Sequence, residues 1–99
     1  MTEIASLNNI ENLKVVSYWM MDTIIAYETG SITKKHASAL TKIVLRKLKK
    51  YAPTDKEKSN YDIILDLCIS LSTIDRADGV FEKFYLESLK EELKAINHS

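Results

Sequence analysis

The sequence contains one cysteine, one proline and two glycines among its 99 residues. A single cysteine, Cys68, cannot form an internal disulfide or a cysteine-cluster metal site. So few turn residues exclude an all-β sandwich or barrel, in which a turn signal recurs about every 8–12 positions. The composition is 45% hydrophobic and 28% charged, which indicates one globular domain over residues 1–99 rather than a disordered chain.

Long apolar runs are also missing. The longest, from Val15 to Met21, ends at Asp22 and is shorter than the roughly 20 apolar residues that a membrane-spanning helix needs. The first residues, MTEIA, have neither the basic segment nor the apolar segment of a signal peptide. We therefore expect a soluble, cytoplasmic protein, and a lone Cys68 suits a reducing compartment.

Apolar residues recur at three- and four-residue steps in four segments, and this spacing predicts four helices. The predicted helices span about residues 9–28, 33–51, 55–77 and 82–96. Loops this short place consecutive helices side by side with opposite directions. The sequence therefore predicts an all-α fold, an antiparallel four-helix bundle.

The predicted helix ends rest on capping and breaking residues. Asn8 and Thr54 each precede a glutamate by three residues, the spacing of a capping box. Gly30 supplies a left-handed residue after the first helix, and either Ser31 or Thr33 can cap the second. Pro53 stops the second helix, and Asp78-Gly79 is predicted to end the third.

Three expectations concern the core and its edges. The third helix has the widest apolar sector, with Ile63, Leu67 and Ile74 beside its main stripe, so we expect it to be the most buried helix. Phe81 and Phe84 are expected to seal one end of the core. Trp19 lies on the flank of the first helix's stripe, which suits either the rim of the core or an exposed aromatic anchor for a partner.

The zero formal charge hides a segregation of charge. Residues 30–53 contain no Asp or Glu and carry a charge of +7, while the rest of the chain carries −7. On a helical wheel, four bases fall within about 60° of one another, opposite the apolar stripe. We call them the basic surface, and they are Lys35, Lys42, Arg46 and Lys49.

The basic surface has two interpretations. It can be a solvated face that is attracted to acidic neighbouring helices, with the last bases complementing the helix dipole. It can instead bind an acidic protein, a lipid headgroup layer or nucleic acid. Nucleic acid is the least favoured partner because the surface is short and has no interleaved aromatic side chains.

No pattern of catalytic or metal-binding residues is present. His36 and His98 are the only histidines, and neither has a second ligand at zinc spacing. Cys68 lies on an apolar face without a nearby base, which indicates a small buried side chain. We expect no catalytic residue, no cofactor and no metal, and therefore a non-enzymatic protein.

Residues 75–79, DRADG, contain the two aspartates and the glycine that occur in calcium-binding loops. An EF-hand with Gly79 at its sixth position needs oxygen ligands where Ile74 and Arg76 stand, and a glutamate where Tyr85 stands. The segment is therefore interpreted as a helix end followed by a tight turn.

Three segments of the second half follow in a recognisable order: residues 68–72 (CISLS), 76–80 (RADGV) and 89–93 (LKEEL). This apolar helix, Asp-Gly-Val turn and Lys/Glu/Leu-rich last helix resemble the class II bacteriocin immunity proteins, small cytosolic four-helix bundles of Gram-positive bacteria. The resemblance implies protection of a producer cell from its own peptide toxin, through a toxin-bound membrane receptor engaged from the cytosolic side. It carries over no catalytic residue.

The Ala-Asp-Gly turn at residues 77–79 also resembles the TerB-like helical domains of tellurite resistance. That resemblance implies the alternative function, a regulatory helical module, TerB-like or phage-encoded. Such a module would bind a host protein or an anionic partner through the basic surface.

Overall fold

A computed structural model describes residues 13–76 and 79–97, without the side chains of Phe81 and Asn97. The helices are α1 (Leu13–Glu28), α2 (Lys34–Lys49), α3 (Lys58–Ser72) and α4 (Gly79–Asn97), with a 3-10 turn at Ile74–Arg76. They form the predicted all-α antiparallel four-helix bundle. Residues 9–12 of the first predicted helix, with its capping box, lie outside the described residues.

The core is built from all four helices. Helix α2 packs mainly against α3, while α1 packs against α4 and also contacts α2 and α3. Eight of the 16 residues of α1 are buried, against five of the 15 residues of α3. The expectation that α3 is the most buried helix is therefore wrong, because α4 packs mainly against α1 and covers little of α3.

Gly30 ends α1 as predicted. Its φ of 81° is in the left-handed region, which glycine adopts without the clash of a side chain. This conformation lets the Ser31 N–H donate to the Ala26 carbonyl at 2.8 Å and the Gly30 N–H donate to the Tyr27 carbonyl at 3.1 Å. These two bonds satisfy carbonyls that the helix end would otherwise leave unpaired.

Helix α2 begins after Thr33, whose hydroxyl accepts a hydrogen bond from the His36 N–H at 3.1 Å. It ends at Lys49 rather than at the predicted Tyr51. The Tyr51 hydroxyl donates to the Glu57 carboxylate at 2.8 Å, and its ring stacks on Tyr61 with centroids 6.3 Å apart. These contacts turn the chain towards α3 before Pro53 is reached.

Helix α3 is shorter than predicted at both ends. At its start, the Thr54 N–H donates to the Glu57 carboxylate at 3.0 Å, and the Glu57 N–H donates to the Thr54 carbonyl, also at 3.0 Å. The capping-box residues thus close a turn. The helix begins one residue after Glu57, at Lys58, instead of at the predicted residue 55. At the other end Thr73 caps the helix, and the fully buried Ile74 lies in the 3-10 turn.

Gly79 is the first residue of α4, so the prediction that Asp78-Gly79 ends the third helix is wrong. Asp78 itself lies outside the described residues. Phe84 is 74% exposed and does not seal the core, while the side chain of Phe81 is not among those described. Within the described part of the chain, no helix has the length and apolar character to cross a membrane.

Candidate partner-binding surface

The inner face of α2 fixes which of its side chains reach solvent. Leu48 is fully buried in the core. The Ser38 hydroxyl donates to the Ser72 carbonyl, and the Cys68 thiol lies 3.5 Å from the Thr41 carbonyl. Because these small side chains bring the α2 and α3 backbones close together, they also set the rotation of α2 about its axis.

The basic surface lies on the opposite face of α2. All four of its residues are exposed, and none of them forms an ion pair with any other described residue. From Lys35 to Lys49 the helix rises by about 21 Å. Helix α2 contains no acidic residue. The structure therefore presents a stripe of four positive charges that its own helix does not neutralise.

Lys34, in contrast, is used to hold the bundle together. Its ammonium lies 2.8 Å from Oε1 of Glu82 on α4, and the Tyr27 hydroxyl of α1 donates to the same oxygen at 2.9 Å. The Glu82 side chain is 14% exposed. The attraction between basic α2 and an acidic neighbouring helix is thus observed at Lys34, outside the basic surface.

Both groups that share the Glu82 carboxylate have raised pKa values. The hydrogen bond to Glu82 raises the pKa of the Lys34 ammonium, and the Glu82 charge adds to this effect. Burial raises the pKa of the Tyr27 phenol, and its hydrogen bond to Glu82 raises it further. Both groups keep their protons at neutral pH, so the cluster is a structural contact rather than a site of proton transfer.

Trp19 is not an exposed aromatic anchor. Its side chain is 5% exposed and belongs to the buried cluster. Because α1 contacts three helices, its buried sector is wide enough to include Trp19 beside Met20. The interpretation of Trp19 as an exposed partner-binding anchor is therefore wrong, and the other interpretation, which places the side chain with the core, is confirmed.

Cys68 is buried as predicted, and burial raises the pKa of its thiol to about 12. It therefore remains a thiol, which is a poor nucleophile. His36 is exposed, and His98 lies outside the described residues. Across residues 13–76 and 79–97, no group of three His, Cys, Asp or Glu side chains is placed to hold a metal ion.

A groove between α3 and α4 is the feature that the sequence did not reveal. It has a volume of about 270 Å³ and lies where two sequential helices contact each other least. Its lining includes the buried Leu67 and Leu89 and the more exposed Ile63, Asp66, Tyr85 and Glu92. Ile63 is 40% exposed, so the wide apolar sector of α3 extends beyond the core into this groove.

No protein-family model, curated protein or solved structure matches this chain. The basic surface is therefore the feature of the bundle from which a function can be argued.

Proposed function

We propose that this chain is a non-enzymatic, cytoplasmic binding protein of the immunity or inhibitory type, acting by protein–protein interaction through the basic surface. One observation carries the proposal. Lys35, Lys42, Arg46 and Lys49 are exposed on a helix without acidic residues, and none forms an ion pair within the described part of the chain.

The fold gains little from these four charges. Lys42 and Arg46 are four residues apart on one helix face, where like charges destabilise a helix by about 0.2–0.5 kcal/mol. Arg46 and Lys49 lie in the last turn, where they complement the helix dipole, but Lys35 and Lys42 do not. The helix dipole thus stabilises Arg46 and Lys49 but not Lys35 and Lys42, which favours a role in binding for the latter two.

The chemistry of the surface favours an acidic protein as the partner. A positive stripe accelerates association with a negative patch and orients the encounter. Helix α2 has no Phe, Trp or Tyr on which bases could stack.

The resemblance carried by residues 68–72, 76–80 and 89–93 supports an immunity function. In that function the partner is a toxin-bound membrane receptor reached from the cytosolic side. The alternative, a regulatory module for a host protein or an anionic partner, would use the same basic surface. A gene for a short secreted peptide immediately upstream would favour immunity over regulation.

Affinity capture from the source cells tests the proposal. The bait is the wild-type chain, the Lys42→Glu/Arg46→Glu variant, or a control with the same change of charge. Lys14→Glu/Lys56→Glu is a suitable control, since both lysines are exposed and lie outside α2. We expect one protein to be captured by the wild type and the control, and about tenfold less by the α2 variant. Equal capture by all three baits would refute the proposal.

A further inference from the structure

We propose that the α3–α4 groove is a second docking site, separate from the basic surface, and that its occupant is a cationic amphipathic helix of another protein. The groove lies between two helices that barely contact each other, and among the described residues only those of α3 and α4 line it. A helix with an apolar ridge is the element that fits between two such helices.

The groove offers apolar surface to an occupant. Leu67 and Leu89 are buried in its lining, and Ile63 and Tyr85 remain partly exposed there. Phe84 is 74% exposed and lies four residues before Ser88, which also lines the groove. By helical spacing Phe84 lies near the Ser88 margin of the groove, and it is not part of the lining itself.

The charge of the groove selects the sign of the occupant. Asp66 of α3 and Glu92 of α4 line it on opposite sides, and Asp62 is exposed one turn before Asp66. Residues 59–75 contain no Lys or Arg. No basic side chain lines the groove within the part of the chain that the structure describes.

The lysines of α4 do not neutralise this acidic rim. Lys90 lies 2.9 Å from Glu28 of α1, and Lys94 lies 3.8 Å from Glu91. By helical spacing, Lys83, Lys90 and Lys94 share a side of α4 opposite the groove. A cationic occupant therefore meets, on both walls, a negative charge that forms no ion pair with any described residue.

A second copy of this chain does not match these requirements through its basic α2. That helix presents the charge, but its apolar side chains Ile43 and Leu45 pack against its own core. The occupant must instead combine Lys or Arg with a continuous apolar ridge. The lining spans residues 63–70 and 85–92, about two turns of each helix, so anchors at positions i, i+3 or i+4, and i+7 would fill it.

Peptide binding tests the inference on the intact chain. The probe is a helical peptide of about 18 residues, built only from Leu and Lys with Leu at i, i+3, i+4 and i+7. One control peptide replaces each Lys with Glu, and another keeps the composition but scrambles the order. The chain has zero formal charge, so its net charge does not favour the cationic peptide.

We expect the Leu/Lys peptide to bind with at least about tenfold higher affinity than either control peptide. When this peptide is added to the wild-type protein, the largest changes in the protein's amide NMR shifts should fall in residues 63–70 and 85–92. Equal binding of the Leu/Lys and Leu/Glu peptides would overturn the inference, and so would shifts that map to another face. This readout does not depend on any variant being folded.

Two matched variants then test the acidic rim. Asp66→Asn/Glu92→Gln should weaken the Leu/Lys peptide about threefold to tenfold, since both charges are partly solvated. Asp22→Asn/Asp55→Asn removes the same charge from exposed positions outside the groove and should leave binding unchanged. Equal losses in the two variants would overturn the inference, because they would show a response to overall charge alone.

Discussion

The hydroxyl of Tyr27 in the last turn of α1 donates a hydrogen bond to Oε1 of Glu82 in the first turn of α4, with the two atoms 2.9 Å apart. The Lys34 ammonium approaches the same oxygen at 2.8 Å. One carboxylate therefore joins three helices at one end of the bundle. This cluster occupies the first base of α2 and leaves the basic surface pointing to solvent.

Tyr27→Phe should lower the free energy of unfolding by about 0.5–1.5 kcal/mol, because it removes one partly buried hydrogen bond and keeps the ring. Urea unfolding followed by circular dichroism measures the change. A loss below about 0.3 kcal/mol would contradict the account, since it would show that the contact does not hold the helices together in solution.

Leu71→Ala should cost about 2–5 kcal/mol, because the side chain is 1% exposed and its removal leaves a cavity. Ile69→Ala in the same helix is the matched control, since Ile69 is 44% exposed. We expect the control to cost less than about 1 kcal/mol. Similar costs in the two variants would mean that α3 does not face the core as described.

Glu57→Gln should reduce the sensitivity of the fold to acid. The hydrogen bond from the Thr54 N–H lowers the pKa of Glu57 below its ordinary value of 4.5, and the hydrogen bond from the Tyr51 hydroxyl lowers it further. Because the pKa of Glu57 is lower in the folded state, its ionised carboxylate stabilises the fold at pH values above the unfolded-state pKa. This contribution disappears as the pH falls through the folded-state pKa.

Melting temperatures of the wild type and Glu57→Gln, taken from pH 6 down to pH 3, check this prediction. Below about pH 4.5, the melting temperature of the wild type should fall further than that of the variant. Tyr51→Phe removes the second hydrogen-bond donor to Glu57, so the fall in its melting temperature with pH should be intermediate between those of the wild type and Glu57→Gln. Parallel curves for the wild type and Glu57→Gln would contradict the assignment.

Cys68 should resist thiol reagents in the folded protein. Its side chain is fully buried, and burial raises the pKa of the thiol to about 12. At pH 8 we expect slow labelling by a disulfide reagent, becoming fast in denaturant, because the reactive thiolate forms only after the chain opens. Fast labelling without denaturant would show that the α2–α3 contact opens readily.

Local signals predicted the parts of the fold that local chemistry determines. Gly30 ends α1 because only glycine adopts the left-handed conformation there at no cost, and Thr33 caps α2 through its own hydroxyl. The prediction that Asp78-Gly79 ends α3 is wrong because packing in the core, which local sequence signals do not show, ends the helix earlier. Ile74 is buried in a 3-10 turn, so α3 ends several residues before the glycine.

The surfaces were predictable to different degrees. The basic surface follows from charge and helical period, since Lys35, Lys42, Arg46 and Lys49 are opposite the buried stripe. The helical wheel leaves Trp19 between the core and the surface, because it does not show how many helices pack around α1. The groove beside Ile63 was missed for the same reason: periodicity identifies an apolar sector but not whether a neighbouring helix covers it.

The central claim is that the basic surface binds a protein partner and is not needed for folding. The direct measurement is the association rate of the captured partner with the wild type, with Lys42→Glu/Arg46→Glu and with the Lys14→Glu/Lys56→Glu control. Thermal melting runs in parallel. Since surface substitutions usually change stability by about 0.5 kcal/mol or less, the α2 variant should melt within a few degrees of the wild type.

At low salt we expect the α2 variant to associate about tenfold or more slowly than the control, and the difference should shrink as salt is raised. In the immunity function, the same variant should also lose protection against the toxin. A folded variant that associates as fast as the wild type would contradict the claim. A variant that fails to fold would contradict it as well, because these bases would then be holding α2 in the bundle.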